Sequence, residues 1–381
     1  MMRRLSVLLT AVVLVSAACG DSGPVTTTAT TEPAPAETTS PPAVTTTTAA
    51  SFEVTEAASP PPSSFAEVAA EYTAAADVVL SEGRNLADLF LTGQDEALYD
   101  RFGPVMTSQL SVEDIGAGRD EIESQAPLGD FGLERAVQLS PTSRFYGVEI
   151  EWGEETLIFN AAFDEAGEVA SLFLTPELPL PPDPTGDFAS DVEFRLPFEG
   201  LWLTFWGGDT AVENYHVDAP VQRHAFDFLV WQDGGTHAGD GSAVEDYWAY
   251  GQRVLAPAAG TVVTAVDGLP DQVPQTGSDT ANPAGNHLVI EVATGEFLLI
   301  AHMQAGSLTV AEGDVVEAGQ QIGLVGNSGT TTEPHIHIHL QDLPVFLVDG
   351  TGLNLEFTGY LANGEPVERD QPLADQFVVN G

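Results

Sequence analysis

The chain has 381 residues, 43% of them hydrophobic, which is enough to build two or three domains with cores of their own. It carries 57 acidic residues against 11 basic ones, all of them Arg, for a net charge of −46. Such a surface repels nucleic acid and anionic lipid wherever salt leaves it unscreened, so the charge argues against both as partners of the folded surface and says nothing about fold.

At the N-terminus, Met1-Met2-Arg3-Arg4 precede a mostly apolar stretch from Leu5 to Val15 and then Ser16-Ala17-Ala18-Cys19. A short positive region, a short apolar region and small residues mark residues 1–19 as an export signal, not a spanning helix. Cys19 is the only cysteine, so no intrachain disulfide forms. Its setting resembles the lipobox of bacterial lipoproteins, although Ser16 stands where Leu is commoner. The resemblance implies lipidation of Cys19 and anchoring of an exported protein at the outer face of the cell membrane or envelope. The alternative is ordinary cleavage near Ala18 with an incidental Cys; both routes lead out of the cytoplasm. From Gly20 to Ser64 the composition falls to Thr, Pro, Ala, Ser and Glu. Such a segment buries too little apolar surface to offset its ordering entropy, and a disordered tether over 20–64 is expected.

Residues 65–177 are predicted to form a small α+β domain. Apolar residues at helical spacing run through Phe65 to Thr92 and Asp95 to Phe102, and Ser111 before Val112-Glu113-Asp114 predicts a capped third helix. Tyr146 to Trp152, Thr156 to Phe163 and Val169 to Leu174 then alternate as antiparallel strands, joined by turns at 153–155 and 165–167. Helices followed by a meander look like the cone-shaped fold of nuclear-transport-factor-like and cystatin-like domains. No catalytic set appears there, so binding, spacing and dimerisation are open to it. A stiff Pro-rich linker, 178–186, follows. From 187 to 381 the chain is a run of short strands broken by Gly and Pro turns, and this last domain holds all 8 histidines.

Within it, Glu333-Pro334-His335-Ile336-His337-Ile338-His339-Leu340 sets three imidazoles on alternate residues of a strand, so they share one face and Ile336, Ile338 and Leu340 the other. Three clustered histidines out of 8 point to a metal site. Two further segments bear on it: His216 with His224 and Asp227, and His302 at the end of Leu299-Ile300-Ala301. His237 and His287 are expected to be ordinary polar residues. Zn2+ accepts imidazole nitrogen and carboxylate oxygen, and a catalytic site keeps three protein ligands and one open position.

The run from His302 through Gly313-Asp314-Val315-Val316, Ala318-Gly319-Gln320 and Gly326-Asn327-Ser328-Gly329 to His335-Ile336-His337 resembles the lysostaphin-like, or LytM-type, zinc endopeptidases that cut peptidoglycan cross-links. The resemblance covers roughly 187–342. It implies a mostly antiparallel β domain (duplicated hybrid motif), zinc in a groove, Asp227 and His337 as ligands, and His302 and His335 as unliganded catalytic histidines beside the water. The family pattern puts a His four residues before the Asp, and Arg223 stands there. His224 is three before Asp227, on the opposite face of a regular strand. His216, eleven before it, is the preferred first ligand, with His224 as the alternative if a bulge shifts the parity. His339 is assigned to the wall of the site or to support of the ligands.

Two rival functions follow. One is a degenerate module of the same fold that binds or regulates cell-wall hydrolases; Asp227, His302, His335 and His337 all remain here, which favours the enzyme. The other is a biotinyl or lipoyl carrier, suggested by the Gly-Asp-Val-Val and Ala-Gly-Gln turns, but a carrier needs a modified lysine and the chain has none.

Overall fold

Along α1 (Phe65–Leu91) the buried positions Val68, Tyr72, Val79, Leu86 and Phe90 fall on one helical face. The computed structural model describes residues 65–177, 180, 182–186, 188–345 and 350–381; the segments expected to be an export signal and a tether, with Cys19, lie outside them. Three shorter helices follow, α2 (Asp95–Tyr99), α3 (Pro104–Thr107) and α4 (Val112–Gln125). Ser111 starts α4 with a capping box: its hydroxyl accepts the Asp114 N–H at 3.2 Å and its own N–H donates to the Asp114 carboxylate at 2.8 Å. Helical spacing extends to Phe102, but α2 ends at Tyr99, because Gly103-Pro104 follow and Phe102 bridges to Val169 instead.

Four strands, β1 (Leu128–Ser140), β2 (Ser143–Trp152), β3 (Glu155–Phe163) and β4 (Val169–Pro176), then form an antiparallel sheet in chain order. β1 is the strand that the sequence pattern does not announce. Register shifts between Leu128 and Glu134 break its period of two, and only Val137 and Leu139 in its second half are buried apolar residues. Leu86 and Phe90 of α1 share a core with Tyr146, Val148, Phe159 and Phe163 of the sheet.

The second domain contributes β5 (Trp202–Trp206), β6 (Phe226–Leu229), β7 (Arg253–Leu255), β8 (Gly260–Val266), β9 (Asn286–Ala293), β10 (Glu296–Met303), β11 (Val315–Val316), β12 (Gln321–Leu324), β13 (Ile336–Gln341), β14 (Gly352–Leu353), β15 (Phe357–Ala362), β16 (Glu365–Asp370) and β17 (Phe377–Asn380). Most join one antiparallel sheet in the order β11-β8-β9-β10-β13-β6-β5-β17-β15-β16, with β14 on β13 and β12 paired to β7 apart from it. The histidine strand β13 therefore runs through the middle, between β10 and β6. Ile336, Ile338 and Leu340 enter the main core and are at most 1% exposed. At about 2 kcal/mol of burial each, they hold the strand while its other face is left to polar groups.

The two domains pack together. Val68 and Tyr72 of α1 meet Leu203, Trp231 and Phe377, with the Tyr72 ring edge-on to Trp231 at 5.3 Å and to Phe377 at 5.4 Å. Arg135 of β1 grips Asp375 with two bonds of 2.9 and 3.1 Å, lies 4.4 Å over Trp206 and donates to the Phe205 carbonyl. The β1 backbone also takes the Trp231 indole N–H on Gln138 and the Thr236 N–H on Leu139. Among the described residues no helix is long and apolar enough to cross a membrane.

Candidate metal centre

Three segments bring His216, Asp227 and His337 together, each offering one ligand atom and all within 4.8 Å of one another. β6 and β13 pair with His337 directly opposite Asp227, so strand register alone sets His337 Nδ1 2.8 Å from Asp227 Oδ1. His216 arrives from a 3-10 turn, Tyr215–Asp218, whose preceding Asn214 accepts the His216 N–H. The amide of Asn214 is pinned by two backbone carbonyls, Gly208 and Ala225, which both take its NH2 at 3.1 Å. Its oxygen must then face His216 Nδ1, at 2.8 Å, so that nitrogen carries the proton and Nε2 is bare. His216 Nε2 is buried with no hydrogen-bond partner and stands 3.7 Å from Asp227 Oδ2.

The donor set fits zinc. A buried imidazole lone pair facing a buried carboxylate is costly unless a cation lies between them. Tetrahedral zinc with bonds of about 2.0–2.2 Å sets its ligand atoms roughly 3.3 Å apart, near the separations seen here. Burial pushes the imidazoles down, His216 and His302 well below their ordinary value, His337 to about 4 and His339 to about 3. They are neutral at pH 7, as metal ligation requires. Burial raises Asp227 to about 6, with His335 opposing the rise.

His302 and His335 stand beside the three, their ring centres 4.8 Å apart and His302 5.7 Å from His337. His302 closes β10 in a left-handed conformation, φ 61°, which a strand does not otherwise adopt. The Gly326-Asn327-Ser328-Gly329 turn holds it there. Gly326 gives its N–H to the His302 carbonyl, and a Cβ on Gly326 would lie 2.4 Å from the Gln304 nitrogen. The Ser328 carbonyl accepts from His302 Nδ1 at 2.8 Å, and the Ser328 hydroxyl donates to the Met303 carbonyl. His335 Nδ1 likewise donates to the Glu333 carbonyl at 2.8 Å, which leaves its Nε2 bare and 3.6 Å from Asp227 Oδ1. Glu333 is itself buried, takes the Thr236 hydroxyl at 2.6 Å, and is raised by burial to about 7.

His224 does not join this group. It precedes β6, in a turn, and its Nε2 lies 3.3 Å from Asp183 of the Pro-rich linker, where Arg223 also reaches. His339 stands behind His337, with its Nδ1 3.0 Å from His337 Nε2, and Gln341 Oε1 stands 2.8 Å behind His339 Nε2. His287 binds the Gly285 carbonyl and is near enough to His302 to lower its pKa, and His237 lies on Tyr247; neither joins the His216, Asp227 and His337 group. Sequence reasoning missed Asn214, which gave no signal, and Gln341, which the alternation through His335, His337 and His339 predicts as the next member of the same face.

Fold and site together define a β-sheet domain with a His-Asp-His cluster that could hold a metal ion and two further imidazoles beside it. Residues 245–347 match Peptidase family M23. The match includes His302, His335, His337 and His339 and starts after His216 and Asp227. The Peptidoglycan DD-endopeptidase ShyA of Vibrio cholerae is 39% identical over 57 residues, 15% of this chain. The chain spans only 13% of that relative's length. Among solved structures, a zinc containing peptidase from Vibrio cholerae is similar at 14% identity, covering 69% of this chain and 64% of that one, with a TM-score of 0.24. The catalytic domain of lysostaphin from Staphylococcus simulans is similar at 17% identity, covering 45% and 88%, with a TM-score of 0.23.

Proposed function

We propose that this protein is a zinc metallo-endopeptidase that hydrolyses peptide cross-links of bacterial peptidoglycan, exported and held at the cell envelope by a lipid on Cys19. The observation that carries the reading is the bare, partnerless Nε2 of His216 aimed at buried Asp227 beside His337. The M23 family match and the likeness to a peptidoglycan endopeptidase support the substrate class.

His216 through Nε2, Asp227 through a carboxylate oxygen and His337 through Nδ1 would hold the metal. When bound, zinc supplies Lewis acidity, polarising a carbonyl oxygen and making water a nucleophile near neutral pH. The remaining work belongs to the chain. His302 and His335, each with Nδ1–H tied to a backbone carbonyl, present a bare Nε2 to the site. The bare Nε2 of one takes the proton from the attacking water, and the imidazolium so formed donates that Nε2–H to the oxygen that gains charge and then passes the proton to the leaving amine. The carbonyl anchors fix ring orientation, so no reorganisation is needed as charge develops. For the first domain we propose the cone-shaped, cystatin-like fold, supported by a long helix packed across a four-stranded sheet.

The test is release of new amino groups from purified peptidoglycan by the full chain, with and without a chelator, and after zinc is restored. Release that the chelator abolishes and zinc restores is expected. No release under any metal condition overturns the hydrolase reading and favours a module of the same fold that binds or regulates cell-wall hydrolases. Labelling with a radioactive fatty acid tests the anchor, and an unlabelled mature protein overturns it.

A further inference from the structure

Along the face of β13 that meets Asp227, the strand continues past His337 with a buried polar line that the hydrolytic chemistry does not use. Gln341 is fully buried, as is His339. The Gln341 amide nitrogen lies 2.5 Å from the Leu343 carbonyl and 3.3 Å from the Val345 carbonyl. Carbonyl oxygens only accept, so the NH2 end must face them, and Oε1 must face His339 Nε2. That nitrogen therefore carries a proton. A neutral imidazole carries only one, so His339 Nδ1 is an acceptor, and the ring nitrogen 3.0 Å from it, His337 Nε2, must donate. His337 is then the Nε2–H tautomer with a bare Nδ1.

Each assignment in this line is forced by the one before it, starting from two backbone carbonyls. Its last consequence is that His337 Nδ1 and Asp227 Oδ1, 2.8 Å apart, are both lone pairs, a contact stable only with a cation between them.

We propose that Gln341, acting through His339, is a positioning residue that locks His337 in the tautomer whose Nδ1 lone pair faces the metal. The proposal rests on the zinc reading above and adds the residue that determines which nitrogen is available. A ring free to carry its proton on Nδ1 would have to move it before binding, and disturbing such outer partners typically costs 10–100-fold in metal affinity.

The experiment uses the full chain labelled with 15N-histidine. In metal-free wild type, long-range 1H–15N spectra are expected to show His337 and His339 both protonated on Nε2. In Gln341→Met, of similar size but without the acceptor, a population of His337 protonated on Nδ1 is expected, with Zn2+ affinity reduced 10–100-fold in competition with a fluorescent chelator. Wild-type His337 protonated on Nδ1 overturns the proposal without any variant, so a misfolded Gln341→Met leaves it falsifiable. Unchanged tautomer and affinity in a folded Gln341→Met also overturn it. Wild type that binds no Zn2+ removes the zinc reading and the affinity half of this proposal, while the tautomer is read independently on the same sample.

Discussion

Glu333 offers the sharpest test of how this site is built, because this buried carboxyl, two residues before His335, has among the described residues one side-chain hydrogen-bond partner, the Thr236 hydroxyl. It is 4% exposed and its side chain is bonded to Thr236 at 2.6 Å. Loss of hydration raises it from 4.5 to about 7, the Thr236 bond opposing the rise. The folded state therefore holds a proton that the unfolded chain releases at lower pH. Stability from this group is fully present below 4.5 and lost as pH rises through about 7. At about 1.4 kcal/mol per pH unit, the loss amounts to about 3 kcal/mol. Glu333→Gln keeps the shape and cannot ionise, so its stability relative to wild type should grow by about 3 kcal/mol between pH 4.5 and 8. Urea denaturation of the metal-free proteins, followed by Trp fluorescence at several pH values, measures the difference directly. Contributions of the histidines are common to both proteins and cancel. A difference flat across this range would refute the reasoning, since it would mean that Glu333 ionises without cost.

Other perturbations separate the parts of the centre. His216→Ala should lose zinc by more than the roughly 10–100-fold expected for an outer partner, whereas His224→Ala, which faces Asp183, should keep it; metal analysis of the purified variants decides. Gly285→Ala would place a Cβ 2.3 Å from the Ser328 carbonyl that anchors His302. It should retain zinc and lose about 100-fold in amine release, the scale for a catalytic group displaced by about 1 Å. Equal activity would show that the turn does not position His302. Arg135→Ala removes both bonds to Asp375 across the domain contact and should cost about 2–3 kcal/mol, below the fully buried range because Asp375 keeps partial access to water. Thermal and urea unfolding of the full chain check it, and a change under about 0.5 kcal/mol would show that the pair is not needed for docking.

Much of this could be read from local pattern. Period-two alternation put His337 on one face of β13 and Ile336, Ile338 and Leu340 in the core, because side-chain direction in a strand is a property of the backbone itself. Helical spacing marked α1, and Ser111 with Asp114 marked the start of α4. β1 escaped because shifts in register erase the period on which such a reading depends. Likewise, the partner of Asp227 depends on which strands become neighbours. The pairing of β6 with β13 sets His337 opposite it across 110 residues, and the turn at Tyr215–Asp218 returns His216 while His224 is drawn to the linker.

The sequence by itself determined which residues can bind metal and which strand face carries them, since composition and alternation are local. Only the tertiary structure decided which nitrogen of each ring is bare. The proton on His302 is placed by the Ser328 carbonyl, 26 residues on, and that on His216 by Asn214, which the Gly208 and Ala225 carbonyls orient; His335 and, through Gln341, His337 depend on the Glu333, Leu343 and Val345 carbonyls, which are near in sequence but placed by how the folded chain turns there. The same holds for the first domain, whose docking through Arg135 and Tyr72 depends on Asp375, 240 residues after Arg135 and 303 after Tyr72.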